Sequence, residues 1–412
     1  MTRVLVTDAR RGSAVAFIRS LGRRGDHVVA ADATAPSAGM RSRFAGGHVR
    51  YPAPALDPVA TGDALAQAAH DHRIELIVPI TDDVILALRD RLAELPAGCQ
   101  VTIPDSVAAA VVNDKRATME LAASLGIPIP ESVPAASPEA IRAAAGHLGY
   151  PVVIKPLTSR IRGDTGGVRQ YAVSYALDAA GVERSVAGLD DVGVLVQRYW
   201  SGEGQGVELL LDHGRPVAAF QHRRLREVPI SGGASSLRAS MPLDPTLFDH
   251  AARLMGALAF HGLAMVEFRV GPEGPALMEV NGRVWGSIPL AVAAGMDFPA
   301  RLVDLYTQGD RNLDGQAPEH AAAVATGYTI GVRARNLELD LVWIGSVLRG
   351  PRRSSIAPWP PRRAAFGAIS DLVDPSIRDD ILAWDDPAPG AAELVRIAGK
   401  LGAKFRNASH AV

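Results

Sequence analysis

Short apolar runs that alternate with helix-like segments restrict the fold of this chain more than any other feature of its sequence. Residues 3–8, 27–31 and 74–80 are strand-like runs, and the first of them leads through a turn at Gly12 into a stretch with helical apolar spacing. Short buried strands that alternate with helices form parallel sheets covered on both faces. We therefore predict a doubly wound α/β domain over residues 1–110.

The composition narrows the class of protein. The chain has 412 residues, of which 48% are apolar and 21% charged, and 43 basic against 44 acidic side chains leave a formal charge of −1. This length suits about three domains, and the charge is not that of a nucleic-acid-binding protein. The single cysteine excludes an internal disulfide, and without zinc-type Cys/His spacing a bound metal needs oxygen ligands. No apolar run approaches a membrane span, so we expect a cytoplasmic protein without integral membrane association.

The middle of the chain has the pattern of two α+β lobes, over residues 111–200 and 201–312. In the first lobe, the strand-like run Pro151–Pro156 precedes a polar, glycine-rich loop. The glycines of that loop are Gly163, Gly166 and Gly167. Backbone N–H groups in such a loop can close over phosphate oxygens.

Residues 313–412 form a C-terminal region of uncertain fold. Its segment 349–363 is rich in arginine and proline and has no acidic residue. A solvated, extended loop is the favoured interpretation of such a segment. The alternatives are a contact with an anionic substrate or carrier protein, and a contact with a membrane surface through Trp343 and Trp359.

Residues 264–281 contain two strand-like runs around a Gly-Pro-Glu-Gly-Pro turn and predict a β-hairpin. If the strands pair symmetrically about Glu273, Glu267 lies directly opposite Glu279, and Asn281 shares their face because side chains alternate along a strand. Two opposed carboxylates repel, so we expect a cation between them. Oxygen ligands alone favour Mg²⁺, which often completes its shell with substrate phosphates, so the hairpin also predicts a nucleotide. A solvated hairpin with outward-pointing glutamates is the alternative.

Three basic residues suit an anionic ligand beside this hairpin. Arg283 follows Asn281 by two residues, and its planar guanidinium can clamp a carboxylate or an acyl phosphate. Lys155 ends an apolar strand just before the glycine-rich loop, where an ammonium group is costly to bury unless it meets an anion. Lys115 begins a helix, and a nearby phosphate would offset the unfavourable helix dipole there. Taken singly, each lysine also fits an ordinary surface position.

Together these segments resemble the ATP-grasp superfamily, and they follow the order of that family's motifs. The matching segments are Asn113-Asp114-Lys115, Val153–Pro156 with its glycine loop, Val196–Trp200 and Met278–Arg283. The resemblance implies an ATP-grasp fold, in which two α+β lobes enclose ATP. The N-terminal α/β domain resembles the usual first domain of the family, of the biotin-carboxylase type.

The resemblance also assigns roles to residues. Lys115 and Lys155 match the two phosphate-binding lysines, residues 158–167 match the mobile lid, and Arg283 matches the arginine beside the reacting centre. Candidate clamps for an anionic substrate are Arg224 and Arg226. The remaining matches are the metal ligands Glu267, Glu279 and Asn281, the adenine-binding hinge Gln197, Arg198, Tyr199 and Trp200, and the ribose candidates Glu208 and, as the alternative, Glu203. In the hinge, Gln197 replaces the family's usual acidic residue.

The resemblance implies an enzyme that uses ATP and Mg²⁺, with Mn²⁺ as the alternative ion, to phosphorylate a carboxylate that an amine then attacks. We therefore predict a carboxylate–amine ligase that forms an amide bond through an acyl phosphate on a small, amino-acid-like substrate. Alternatives are acyl transfer to a carrier-protein thiol, bicarbonate activation, and a non-catalytic nucleotide-binding regulatory role. We expect a homodimer, the commonest oligomer.

Overall fold

The computed structural model describes residues 1–157, 160–162, 168–170, 173–187, 189, 193–308, 327–351, 356 and 358–409. These residues form an N-terminal α/β domain and two lobes, built on a four-stranded and a seven-stranded sheet. This architecture confirms the predicted α/β and α+β fold class. None of the described helices is both long and apolar enough to cross a membrane.

The N-terminal domain is a five-stranded parallel sheet of order β3-β2-β1-β4-β5. Its elements are β1 (Arg3–Val6), α1 (Gly12–Arg24), β2 (His27–Asp32), a 3₁₀ turn (Gly39–Arg41), β3 (Gly47–Arg50), α2 (Pro58–Asp71), β4 (Leu76–Val78), α3 (Asp82–Arg89), a 3₁₀ turn (Leu92–Glu94) and β5 (Gln100–Val101). The apolar runs predicted β1, β2 and β4. They did not reveal β3 and β5, because these edge strands are short and partly exposed.

Two capped helices, α4 (Ser106–Asn113) and α5 (Lys115–Ser124), lead into the small lobe. The carboxylates of Asp105 and Asp114 accept hydrogen bonds from the first backbone N–H groups of these helices. The small lobe has a four-stranded sheet of order β10-β7-β11-β6 with antiparallel pairings. Its elements are β6 (Ser132–Ala135), α6 (Pro138–Leu148), β7 (Val152–Pro156), β8 (Arg160–Arg162), β9 (Val168–Gln170), β10 (Ser174–Ala176), α7 (Ala179–Val186) and β11 (Val194–Arg198).

The large lobe has a seven-stranded sheet of order β16-β15-β12-β13-β14-β17-β18. Its elements are β12 (Glu203–Asp212), β13 (Arg215–Val228), β14 (Ala234–Ser240), α8 (Pro245–Ala257), β15 (Gly262–Gly271), β16 (Gly274–Asn281), α9 (Ile288–Ala293), α10 (Phe298–Gln308), β17 (Arg333–Arg335), α11 (Leu337–Arg349), α12 (Arg363–Asp371), β18 (Ile377–Asp379) and α13 (Pro387–Ser409). The C-terminal region therefore contributes two strands to this sheet. Arg352 and Arg353 lie outside the described residues.

The hairpin β15–β16 has the predicted carboxylate pairing but not the predicted turn. Gly271 pairs with Gly274, so two residues and not five join the strands. A bulge at Met278 then inserts one extra residue into β16 and restores Glu267 opposite Glu279. A one-residue shift of register would turn the side chains to the other face of the sheet. The bulge is therefore what brings the two carboxylates together.

One face of the seven-stranded sheet shares a hydrophobic core with the N-terminal domain. Buried residues of β1, β2, β4 and α1 belong to the same cluster as residues of β13, β15, α9 and α10. Within it, Trp285 has no solvent exposure and lies edge-on to Phe298, with 5.2 Å between the ring centroids. The other face of the sheet packs against α4, α5 and α8. Burial of apolar surface on both faces thus fixes the N-terminal domain against the large lobe.

Buried ion pairs tie the C-terminal region to the remainder of the molecule. Arg19 of α1 contacts Asp386 at 2.9 Å, and Arg238 of β14 contacts Asp380, which follows β18. All four side chains are at most 7% exposed. Burial raises the pKa of Asp380 to about 6, although Arg238 opposes that shift. The C-terminal region is therefore held by charge pairs that water does not screen.

The structure corrects the expectation for Arg226. Its guanidinium contacts Asp340 and Asp371 and lies 5.1 Å from the centre of the Trp343 ring. Arg226 thus binds α11 and α12 and is not a clamp for a substrate. Trp343 is buried beneath it, which argues against a membrane-surface contact through that side chain.

Loss of the Arg238 cation is expected to destabilise the fold strongly. In Arg238→Met, Asp380 stays buried without the cation that pairs with it, and we expect urea unfolding at neutral pH to show a loss of about 3–5 kcal/mol. The loss should shrink as the pH falls, because a protonated Asp380 needs no cation. Arg253→Met, which breaks an exposed pair with Asp249, should cost less than about 1 kcal/mol. Equal losses in the two variants would contradict this role of Arg238.

Candidate active site

Three oxygen-bearing side chains meet on one face of the hairpin β15–β16. The Asn281 amide donates from Nδ2 to Glu267 Oε1 at 3.2 Å and to Glu279 Oε1 at 3.3 Å. Glu267 is buried, and this burial raises its pKa, with Arg224 lowering it and Glu279 raising it further. A buried carboxylate, a half-buried carboxylate and an amide around one point are the kind of donor set that Mg²⁺ prefers. The residues that the sequence predicts as metal ligands therefore fit a magnesium ion.

Arg224 of β13 belongs to the same site. Its NH2 atom lies 2.5 Å from Glu267 Oε2, and its NH1 atom donates to the Gly233 carbonyl at 2.9 Å. Burial works against its charge, but the carboxylates of Glu267 and Glu227 outweigh burial and hold the pKa of Arg224 above its ordinary value. A permanent cation thus lies beside one of the candidate metal ligands. Its role as a substrate clamp stays a prediction.

Two lysines from different elements face these carboxylates. Lys155 of β7 donates from Nζ to the carbonyl of Met278, the bulge residue, at 3.4 Å. Burial lowers the pKa of Lys155 to about 8, while Glu279 raises it and Lys115 lowers it. Burial also lowers the pKa of Lys115, and Glu279 opposes that shift. The backbone N–H of Lys115 donates to the Leu157 carbonyl at 3.0 Å, which holds α5 against the end of β7. The pair suits the phosphates of a nucleotide.

Arg283 joins the hairpin to the N-terminal domain through a residue that the sequence reasoning missed. Its Nε atom lies 2.9 Å from both carboxylate oxygens of Asp82, and its NH2 atom donates to Asn281 Oδ1 at 3.2 Å. Asp82 is the first residue of α3 and follows β4. Ligands of parallel sheets bind at the carboxyl ends of the strands. The run Thr81-Asp82-Asp83 at such an end was the available signal for Asp82.

Two side chains of the predicted adenine hinge, Arg198 and Trp200, contact the hairpin turn. Gln197 is buried and its amide donates to Ser132 Oγ at 2.9 Å, so it is engaged within the small lobe. Arg198 donates to Glu273 at 2.8 Å and lies 5.0 Å from the centre of the Trp200 ring. The Trp200 indole donates to a carbonyl of the same turn at 3.2 Å. The hinge thus connects the two lobes, and its adenine-binding role stays a prediction.

The two ribose candidates lie in different surroundings. Glu203 is half-buried at the start of β12, with one oxygen 3.9 Å from Arg223. Glu208 has no solvent exposure; His222 Nδ1 lies 2.6 Å from its Oε1 atom, and Ser287 Oγ donates to the same oxygen at 3.3 Å. Burial raises the pKa of Glu208, and His222 lowers it. Glu208 is therefore not accessible to ribose hydroxyls, and Glu203 is the remaining candidate.

The predicted lid lies mostly outside the described residues. Gly163, Gly166 and Gly167 lie outside the described residues. The strands β8 and β9 that flank them pair antiparallel. Beyond them, Tyr175 is edge-on to Tyr199 of the hinge at 6.5 Å, and its hydroxyl donates to the Gly232 carbonyl of the large lobe at 3.1 Å.

Comparisons with known proteins show the family of the chain but do not test the roles of individual site residues. Residues 190–329 match the family described as "ATP-grasp in the biosynthetic pathway with Ter operon". The chain is 33% identical over 286 residues to formate-dependent phosphoribosylglycinamide formyltransferase from Anaeromyxobacter dehalogenans, a match that covers 65% of this chain and 67% of that protein. It is 26% identical over 292 residues to the carbamoyl phosphate synthase large chain from Acidobacterium capsulatum, covering 68% of this chain. It spans only 26% of the length of that second relative.

The fold is also similar to a solved structure, the biotin carboxylase–β,γ-ATP complex from Campylobacter jejuni. The TM-score is 0.59 at 16% sequence identity, and the similarity covers 81% of this chain and 74% of the other. At this identity the likeness concerns the fold alone. It supports the predicted arrangement of two lobes behind an N-terminal α/β domain.

Nucleotide affinity is expected to fall as the pH rises through the lowered pKa of Lys155. Below about pH 8 the ammonium group is charged when a phosphate arrives, whereas above it binding must also take up a proton, so the Kd should rise by up to about tenfold per pH unit. Calorimetric titration of ADP from about pH 7 to about pH 9.5 measures this slope. Lys155→Arg stays charged throughout and should flatten it. A slope that persists in Lys155→Arg would belong to another group.

Proposed function

The chain belongs to the ATP-grasp superfamily of ATP- and magnesium-dependent ligases, and we propose that it joins a small carboxylate to an amine through an acyl phosphate. One observation carries the proposal: an all-oxygen ligand set, two lysines and Arg283 converge at one end of the seven-stranded sheet. The ligand set and the lysines suit a magnesium-bound nucleotide. Arg283 suits the carboxylate that reacts with the nucleotide.

The residues of the hairpin and the two lysines account for phosphoryl transfer. Glu267, Glu279 and Asn281 would hold Mg²⁺, which neutralises phosphate charge and orients the γ-phosphoryl group when bound. Lys155 and Lys115 bring ammonium groups to the same carboxylates from the small lobe and from α5. Phosphoryl transfer depends mainly on position and charge stabilisation, so the chain needs no nucleophile of its own.

Arg283 accounts for the acid substrate. Asp82 and Asn281 hold its guanidinium plane beside the ligand set, where it can bind a carboxylate and stabilise the charge that develops on it. An oxygen of that carboxylate attacks the γ-phosphorus and ADP leaves. The amine nitrogen then attacks the acyl carbon, phosphate departs with the carboxylate oxygen, and the nitrogen loses one proton.

The relatives support a carboxylate as one substrate. The first relative is named for a formate-dependent transfer to a glycinamide, and formate is a carboxylate. The Asp82–Arg283 contact favours turnover over a regulatory role, because a protein that only binds nucleotide has little need for a held arginine beside the metal ligands.

The proposal is tested by ADP formation with Mg-ATP against an array of carboxylates, each with and without amines. We expect turnover to need an acid, and hydroxylamine in place of the amine to yield a hydroxamate from the acyl phosphate. Glu279→Gln should lower kcat by about 100-fold or more, because a charged ligand is lost. The control Glu120→Gln alters an exposed glutamate of α5 and should keep the activity. ADP release that needs no acid, or turnover without hydroxamate, would overturn the proposal.

A further inference from the structure

A cleft of about 470 Å³ opens beside Arg283, a volume typical of small-molecule sites. One wall is α3 of the N-terminal domain, another is α4 and α5, and the end of β16 forms the floor. Wall and floor are in direct contact, since a Cβ at Gly282 would lie only 2.9 Å from Val112 Cγ2. The glycine therefore lets α4 pack closely against the chain just before Arg283. This contact fixes the distance between the cleft and Arg283.

One end of the cleft carries opposite charges side by side. The Asp82 carboxylate and the Arg283 guanidinium are 2.9 Å apart, and their side chains are 35% and 25% exposed. An α-amino acid carries a carboxylate and an ammonium group on one carbon atom, and these two charges complement Arg283 and Asp82. Its carboxylate can bind Arg283, next to the candidate metal ligand Asn281, while its ammonium group pairs with the Asp82 carboxylate. A carboxylic acid without an amino group would draw Arg283 away from Asp82 and offer no cation in exchange.

The walls of the cleft also carry apolar side chains. They are those of Ile85, Leu86, Pro104, Val112 and Met119. Two polar side chains of the same walls are engaged with backbone carbonyls: Arg89 donates to Pro104 at 3.2 Å, and Thr118 donates to Val111 at 2.8 Å. An apolar group that packs against these apolar side chains is removed from water, whereas a charged group placed there loses its hydration.

We infer that the acid substrate is an α-amino acid with an apolar side chain, held by Arg283 and Asp82 at its charged end and by the α3–α5 wall at its side chain. The inference rests on the proposed ligase function and names its substrate class. Leu86 then determines specificity, because it is the half-buried apolar side chain that α3 presents to the cleft.

The test measures kcat/KM for ADP formation with Mg-ATP and hydroxylamine. The acids are glycine, alanine, valine, leucine, methionine and phenylalanine, the charged amino acids aspartate, glutamate and lysine, and the analogue of leucine that lacks its amino group. We expect kcat/KM to rise by about tenfold per added methylene until the cleft is filled. The analogue should lose at least about 100-fold relative to leucine.

Two matched variants locate the specificity. Leu86→Phe narrows the cleft and should shift the preference from larger to smaller side chains, with alanine still turned over as proof of folding. Leu92→Phe places the same change at an exposed leucine of the same domain and should leave the preference unchanged. Turnover that favours charged acids, or a size preference that Leu86→Phe leaves unaltered, would overturn the inference alone. If no acid supports ADP formation, both the proposed function and this inference are wrong.

Discussion

Two carboxylates, one buried and one half-buried, face each other across neighbouring strands, and this is the constraint on which the rest of the structure depends. Glu267 and Glu279 occupy opposed positions of β15 and β16, where like charges destabilise a sheet unless cations or donors lie between them. The Asn281 amide, Arg224 and the two lysines supply that compensation. Because they come from the hairpin, from β13, from the small lobe and from α5, these elements must all converge on one point. The two lobes therefore meet at the candidate site around Glu267 and Glu279.

The Met278 bulge connects strand geometry to that chemistry. It offsets the short hairpin turn, so the carboxylates share a face, and it also leaves a carbonyl that accepts a hydrogen bond from Lys155 at 3.4 Å. Bulges commonly redirect side chains beside functional sites. Here one irregular residue both aligns the two carboxylates and attaches the small-lobe strand β7 to the large lobe. A regular hairpin with the same turn would have neither property.

Sequence reasoning succeeded where the signal is local and failed where the partner is distant. The spacing about Glu273 predicted the Glu267–Glu279 pairing, although through two errors, a longer turn and no bulge, that cancel. The family resemblance made Glu208 a candidate for ribose binding, but Glu208 is the buried partner of His222 on the next strand, which no local spacing reveals. Asp82 and Arg283 are 201 residues apart, so only the packing of the N-terminal domain onto the large lobe brings them together.

Burial separates the ion pairs that hold the domains from the pair that a ligand can exchange. The side chains of Arg19–Asp386 and Arg238–Asp380 are at most 7% exposed, and removing one partner of such a pair costs about 3–5 kcal/mol. Those of Arg283–Asp82 are 25% and 35% exposed, and exposed pairs contribute only about 0–1 kcal/mol. A substrate carboxylate can thus replace Asp82 on Arg283 at little cost when the substrate's ammonium group takes the place of the guanidinium beside Asp82. The shared core and the buried pairs keep the N-terminal domain in place during that exchange, so Arg283 stays beside Asn281 and the candidate metal site.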